Sequence, residues 1–224
     1  MDRFFQLWRR SFDFRTMANS LGSLLITLIF ALYNGAMGLI RASVWNGSIC
    51  VYYLLLTVLR GSLLRAERVS RRRPAPEVEA RRWRAFRVAA ALLLALDLSL
   101  IAPAALMVKL ERPVGYDLIF AISMAAYTTY KVVVASVNLR RGGRSGNPIV
   151  RMLRTINFTD ALLAVLTLQN ALITVKLAET GARMLALTAT STAAILLAMV
   201  LLAARSIRVG LNQRRNHPAT GGNE

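Results

Sequence analysis

Six long apolar runs alternate along the chain with polar segments and short turns. Each run is long enough to span a bilayer as a single helix, which takes about 20 residues. The pattern predicts an all-α, polytopic membrane protein whose six transmembrane helices pair as three hairpins. The predicted spans are residues 20–40, 43–64, 86–108, 117–139, 155–177 and 184–204.

The spans and their flanking segments divide the chain into three parts. Residues 1–18 interleave aromatic and arginine side chains, which is typical of an amphipathic helix at a membrane surface. Residues 19–205 form the predicted transmembrane domain. Residues 206–224 are mostly polar and predict a tail in water.

The basic residues are unevenly distributed. The chain has 29 lysine and arginine residues against 11 acidic ones, a formal net charge of +18. Most of the basic residues fall in segments 1–18, 60–87, 140–154 and 205–224, which all lie on one side of a six-span bundle. The positive-inside rule then predicts that both termini are cytoplasmic. These segments would meet anionic lipid headgroups, so we expect the lipid bilayer as a partner and not nucleic acid.

The composition excludes several kinds of chemistry. Cys50 is the single cysteine and His217 the single histidine, which leaves no internal disulfide, no cysteine metal cluster and no usual zinc site. The sequence also contains no glycine-rich phosphate-binding loop. We therefore expect no cofactor and no enzyme activity. Hydrophobic residues make up 55% of the chain, and the mean hydropathy is +0.46, which favours a membrane protein.

Asp97, Lys131 and Asp160 are the charged residues that lie furthest from the ends of the predicted spans. Depth is measured along each predicted helix from its flanking arginine, at 1.5 Å per residue. Asp97 then lies ~15 Å inside its span, Lys131 ~13 Å and Asp160 ~9 Å. A charge at the bilayer centre costs roughly 2.5–3.5 kcal/mol and calls for a partner or a function. We expect Lys131 to pair with Asp97 near the midplane, with Asp160 within reach, as an ion-binding or titrating site. The alternative is an ion pair that only packs the bundle, with Asp160 stabilised near a helix N-terminus.

Four amide side chains lie in the opposite half of the predicted bundle: Asn34, Asn46, Gln169 and Asn170. They predict a polar vestibule open to the outside. The alternative is that each amide makes hydrogen bonds between helices, worth ~0.6–2 kcal/mol.

Five short motifs are spread over most of the chain: Tyr33-Asn34-Gly35; Ser43-x-Trp45; Tyr52-Tyr53-Leu-Leu-Leu with Arg60; Tyr130-Lys131 with Asn138-Leu139; and Asn157 with Leu168-Gln169. Together they resemble a group of bacterial six-span integral membrane proteins. The resemblance implies a six-helix fold in the cell envelope. It implies no activity, because none is assigned to that group.

Two functions fit these patterns. The first is an ion- or small-solute-transporting bundle in the plasma (inner) membrane of a bacterium, with the buried Asp/Lys pair as its site. The alternative is a non-transporting scaffold or accessory subunit that binds anionic lipid or a partner through its basic cytoplasmic loops. The interior of the bundle distinguishes the two functions, since a carrier needs a polar cavity that reaches the charged pair.

Overall fold

The computed structural model describes residues 12–40, 42–70, 75–110, 118–140, 146–176 and 182–216. Within these residues the chain is all-α and contains no strand. The predicted surface helix at 1–18 falls largely outside the described residues. The helices are α1 Phe12–Ile40, α2 Val44–Ser70, α3 Ala75–Ser99, α4 Ile101–Leu110, α5 Leu118–Arg140, α6 Pro148–Lys176 and α7 Ala182–Asn216.

A local break separates α3 from α4. Pro103 has no N–H group, so the carbonyl of Ser99 loses the donor that a regular helix would give it. The N–H of Leu100 instead donates to the carbonyl oxygen of Asp97, at 3.3 Å, which tightens the backbone there. Because Leu100 alone separates the two segments, α3 and α4 follow each other as one apolar rod. The described chain thus forms six helical rods.

Three of these rods are long and apolar enough to cross a membrane: Val44–Ser70, Glu77–Leu106 and Ala186–Gln213. Large apolar side chains such as Ile29, Leu39 and Val58 are exposed, whereas Asp97 and Asp160 are buried in a core that is otherwise mostly apolar. An exposed apolar surface around a few buried charges is expected where the surrounding medium is hydrocarbon.

Helix α6 lies at the centre of the bundle and packs against α1, α2, α3, α5 and α7. Helices α1 and α2 form a closely packed hairpin, and α3 packs mainly against α7. Helix α5 packs chiefly against α6, although α3 and α4 precede it in the chain. The predicted second hairpin is therefore not a packed pair. Its arms diverge to different neighbours, and this changes which charged side chains meet.

The helices continue past the predicted spans at one end of the bundle. The segments 65–84 and 140–154, predicted as basic loops, are helical over most of their described residues, and α7 runs through residues predicted as tail. Seven arginines with exposed side chains lie on these extensions: Arg65, Arg68, Arg81, Arg84, Arg151, Arg205 and Arg208. This end is called the arginine-rich end below.

The α1–α2 hairpin depends on a close approach between two backbones. A Cβ atom built on Gly38 would lie 2.9 Å from the backbone nitrogen of Gly47, closer than real Cβ contacts allow. Small residues that let helix backbones approach in this way are a common basis of packing between membrane helices.

We expect Gly38→Ala to lower the free energy of unfolding by about 1–3 kcal/mol, because the backbone of α2 cannot yield as a flexible side chain would. Gly22→Ala is the matched control on the same helix, since nothing lies within 4 Å of its added Cβ. Thermal unfolding of both variants in one detergent measures the difference. Equal melting temperatures would contradict the close-packing argument.

Candidate functional site

A cluster of three charged side chains lies inside the bundle. The Asp160 carboxylate accepts from Arg60 Nη2 at 2.5 Å and from Lys131 Nζ at 2.6 Å, each at a different oxygen. Thr27 Oγ1 accepts from Arg60 Nη1 at 2.9 Å and donates to Asp160 Oδ2 at 3.3 Å. The four residues come from α1, α2, α5 and α6, so the cluster joins four helices. Arg60, Lys131 and Asp160 are called the triad below, and Thr27 is its hydroxyl partner.

The triad is closed to its surroundings. The side chains of Arg60 and Asp160 are 0% exposed, and that of Lys131 is 10% exposed. The rings of Tyr53 and Tyr127 lie 5.8 and 5.3 Å from the Lys131 ammonium, at distances that allow cation–π attraction. Both carboxylate oxygens of Asp160 are occupied, and the two cations leave the triad with one excess positive charge. Such a dry, paired arrangement suits holding helices together better than exchanging an ion.

Asp97 lies outside the triad. Its carboxylate is 0% exposed, and its Oδ1 accepts a hydrogen bond from the Tyr52 hydroxyl at 2.8 Å. Its Oδ2 has no hydrogen-bond partner among the described residues. Among the residues that the structure describes, no three His, Cys, Asp or Glu side chains lie close enough together to hold a metal ion.

The structure corrects the expected pairing of Lys131 with Asp97. That expectation placed the two residues on adjacent arms of one hairpin, at similar depth. Lys131 lies on α5, which packs chiefly on α6, whereas Asp97 lies on α3, which packs on α7, α2 and α6. The structure therefore brings Lys131 to Asp160, and Asp97 meets a tyrosine.

Helix α2 separates the two buried sites. Tyr52 and Tyr53 are consecutive, so their side chains leave the helix about 100° apart. Their ring centroids are 6.4 Å apart and the ring planes are nearly perpendicular, at 81°. Tyr52 reaches Asp97 on one side, while Tyr53 faces Lys131 on the other. Arg60 follows Tyr53 by seven residues, two helical turns, and so lies on the same face as Tyr53.

A groove of about 450 Å³ lies between α2 and α3, and Tyr52 is among the side chains that line it. It lies in the half of α2 that is distant from the arginine-rich end. Val44, Val51 and Leu55 border it and are themselves exposed, so the groove opens sideways. Its two serines bond to their own helices, since Ser48 Oγ donates to the carbonyl of Val44 and Ser99 Oγ to that of Leu96.

The four amides predicted as a vestibule are largely engaged in packing. Asn34 Nδ2 donates to the carbonyl of Phe30 on its own helix, and Gln169 Nε2 donates to Thr188 and Ser191 of α7. Asn46 and Asn170 are buried. The bonds of Gln169 join α6 to α7, as the alternative of hydrogen bonding between helices predicts, whereas the bond of Asn34 lies within α1.

A second ionic contact lies nearer the arginine-rich end. Glu67 is 1% exposed, and its carboxylate accepts two hydrogen bonds from Arg82 and one, at 3.1 Å, from Asn147 Nδ2. The side chain of Asn147 also caps α6, since its Oδ1 accepts from the N–H of Ile149 at 3.0 Å. This contact ties α2, α3 and the start of α6 together on that side of the triad.

The sequence analysis does not identify Arg60 and Thr27 as members of the triad cluster, or Tyr52 as the partner of Asp97. Arg60 lies at the start of the basic segment 60–87, yet it is buried and is the closest partner of Asp160. The spacing of Tyr53 and Arg60 by two turns was an available signal, because it places a cation on the tyrosine face of α2.

Comparison with known proteins gives no relative for this chain. No protein-family model, curated protein or solved structure matches it. The resemblance to bacterial six-span proteins thus stays a prediction, and the geometry alone carries the functional argument.

Proposed function

We propose that all six rods cross a bilayer, with the arginine-rich end in the cytoplasm of a bacterium and the protein in its plasma membrane. Helices α1, α5 and α6 contain 29, 23 and 29 residues. At 1.5 Å per residue each exceeds the ~30 Å of the hydrocarbon core. The seven exposed arginines support this orientation, because lysine and arginine are retained on the cytoplasmic side.

Labelling of single cysteines tests the topology. Cys50→Ser provides a cysteine-free background, since Cys50 is the only cysteine in the chain. Glu79 and Ala42 are both exposed and lie at opposite ends of the bundle. We expect a membrane-impermeant maleimide to label Ala42→Cys in intact cells, and Glu79→Cys only in inverted vesicles. The reverse pattern, or labelling of both residues from one side, would overturn the proposed orientation.

For the function, we propose transport of a proton or a small cation, with Asp97 as the carboxylate that binds it. The observation that carries this proposal is the environment of Asp97. A buried carboxylate with one tyrosine hydrogen bond and a second oxygen without a partner is costly inside a membrane. Intramembrane carboxylates of this kind commonly mark proton relays and ion pathways. The triad does not fill this role, because both Asp160 oxygens are occupied.

Two further features support a carrier. The groove reaches Tyr52 from the half of the bundle away from the arginine-rich end. The triad and the Glu67 contact lie on the other side and tie the helices together there. The helices are thus tied together on one side of Asp97 and leave a groove beside Tyr52 on the other, an asymmetry of the kind that alternating access uses, although the groove is mostly apolar and is not the polar cavity expected of a carrier.

The second candidate is a scaffold or accessory subunit that binds anionic lipid or a partner protein. The observation in its favour is the triad, which is dry and paired, as expected of a structural element. The exposed arginines would supply the binding, at ~1 kcal/mol for each basic side chain near an anionic surface.

Proteoliposomes distinguish the two candidates. The purified full-length chain is reconstituted with a trapped pH indicator, and an outward gradient of Na⁺, K⁺ or Li⁺ is imposed in turn. A carrier moves protons or one of these cations faster than protein-free liposomes. A scaffold leaves the rate at the protein-free level under every gradient, while the protein still binds vesicles that contain anionic lipid.

A further inference from the structure

We infer that the groove between α2 and α3 binds a hydrophobic monovalent cation, which places its positive charge against Asp97 through Tyr52 and its apolar body between the helices. The inference rests on the proposed function, because it names the class of solute that the Asp97 site would accept.

The charge of the occupant follows from Asp97. Tyr52 lines the groove, and its hydroxyl donates to Oδ1 of the buried Asp97 carboxylate, whose Oδ2 lacks a partner among the described residues. An ionised carboxylate only accepts hydrogen bonds, so the missing partner is a donor or a cation. Arg60 and Lys131 are already held by Asp160, and no lysine or arginine in the described part of the chain lines the groove. The ligand itself must therefore bring the positive charge.

The apolar body of the occupant follows from the groove walls. Val44, Val51, Leu55, Leu96 and Leu100 supply most of the lining. The hydroxyls of the two lining serines already donate to the backbone of their own helices. A volume of about 450 Å³ falls in the usual range for drug-sized ligands, ~300–1,000 Å³.

The route of entry also follows from the groove. Its bordering side chains Val51 and Leu55 are 56% and 47% exposed, on a surface that faces hydrocarbon in the proposed topology. A hydrophobic cation partitions into the bilayer and would enter sideways. The side chains that line the groove offer a small hydrated ion only the hydroxyl oxygens of Ser48, Ser99 and Tyr52, too few to replace its water, so a small cation would bind at Asp97 and not along the groove.

Calorimetry with the purified full-length chain tests the inference. The probe is tetraphenylphosphonium, and tetraphenylborate serves as an anion of matched size and shape. We expect saturable binding of the cation alone. Asp97→Asn should weaken it by about 30-fold or more, since a buried charge loses its partner. Equal binding of both probes, or binding unaffected by Asp97→Asn, would show only nonspecific adsorption to an apolar surface and would overturn the inference.

A second pair of variants tests the location without altering Asp97. Val51→Trp fills the groove, whereas Val58→Trp adds the same ring to an exposed position of α2 outside it. We expect only Val51→Trp to abolish binding of the cation. Equal effects of the two variants would place the binding elsewhere.

Transport data separate the failure of this inference from the failure of the proposed function. Asp97-dependent movement of protons or alkali cations without binding of tetraphenylphosphonium would overturn the ligand class and leave the carrier proposal intact. Asp97-dependent binding of tetraphenylphosphonium without any gradient-driven movement would support the groove as a site and overturn the carrier proposal.

Discussion

Replacing Asp97 by Asn is expected to reduce gradient-driven transport in proteoliposomes to the level of protein-free vesicles. The amide keeps the size of the side chain and can still accept the Tyr52 hydrogen bond seen at 2.8 Å. It does not take up a proton at neutral pH, and it has no negative charge with which to hold a cation. Transport therefore fails while the bundle remains folded, and initial rates at equal protein density measure the loss.

Two controls make this result interpretable. Glu79→Gln neutralises an exposed carboxylate on the same helical rod and should leave the rate unchanged. Thermal unfolding of Asp97→Asn should give a melting temperature equal to or above that of the wild type, because a costly buried charge has been removed. Full transport by Asp97→Asn would exclude Asp97 as the ion-binding group.

The second large effect concerns stability. Replacing Asp160 by Asn should lower the free energy of unfolding by about 3–5 kcal/mol, because Arg60 and Lys131 remain buried without their anion. Both cations contact this one carboxylate, at 2.5 and 2.6 Å, so a single substitution disrupts contacts to α2 and α5 together. Denaturant or thermal titration in a fixed detergent measures the difference.

The triple variant Arg60→Met, Lys131→Met, Asp160→Leu provides the decisive comparison. It removes every charge of the triad and fills the space with apolar side chains of similar length. A buried ion cluster replaced as a whole often leaves stability unchanged or raised. We expect the triple variant to recover most of the loss and to retain transport. Recovery of stability with loss of transport would instead make the triad part of the transport machinery.

The hydrophobic pattern was sufficient to predict an all-α chain with helices long enough for a membrane. Such a prediction depends on the length and composition of each segment, which are local properties. The ends of the helices were predicted less well at the arginine-rich end. The helices there continue through charged residues beyond the apolar runs, and hydropathy alone does not predict such extensions.

The partners of the buried charges could not be predicted from depth alone. Depth placed Lys131 level with Asp97, but contact also depends on which helices are neighbours, and α5 packs chiefly on α6. Arg60 was missed for a related reason. An arginine near the end of an apolar run looks like an interfacial anchor until the long-range contact with Asp160, 100 residues later, is known.

Helix α2 carries a member of each buried site, and this has a mechanical consequence. Tyr52 contacts Asp97, and Arg60, eight residues or ~12 Å further along the same rigid helix, contacts Asp160. A slide or rotation of α2 that frees one contact also displaces the other. Occupancy at Asp97 and integrity of the triad are then allosterically linked. The linkage is reciprocal. If ligand binding at Asp97 weakens the contact between Arg60 and Asp160 by some factor, then breaking that contact changes the affinity at Asp97 by the same factor.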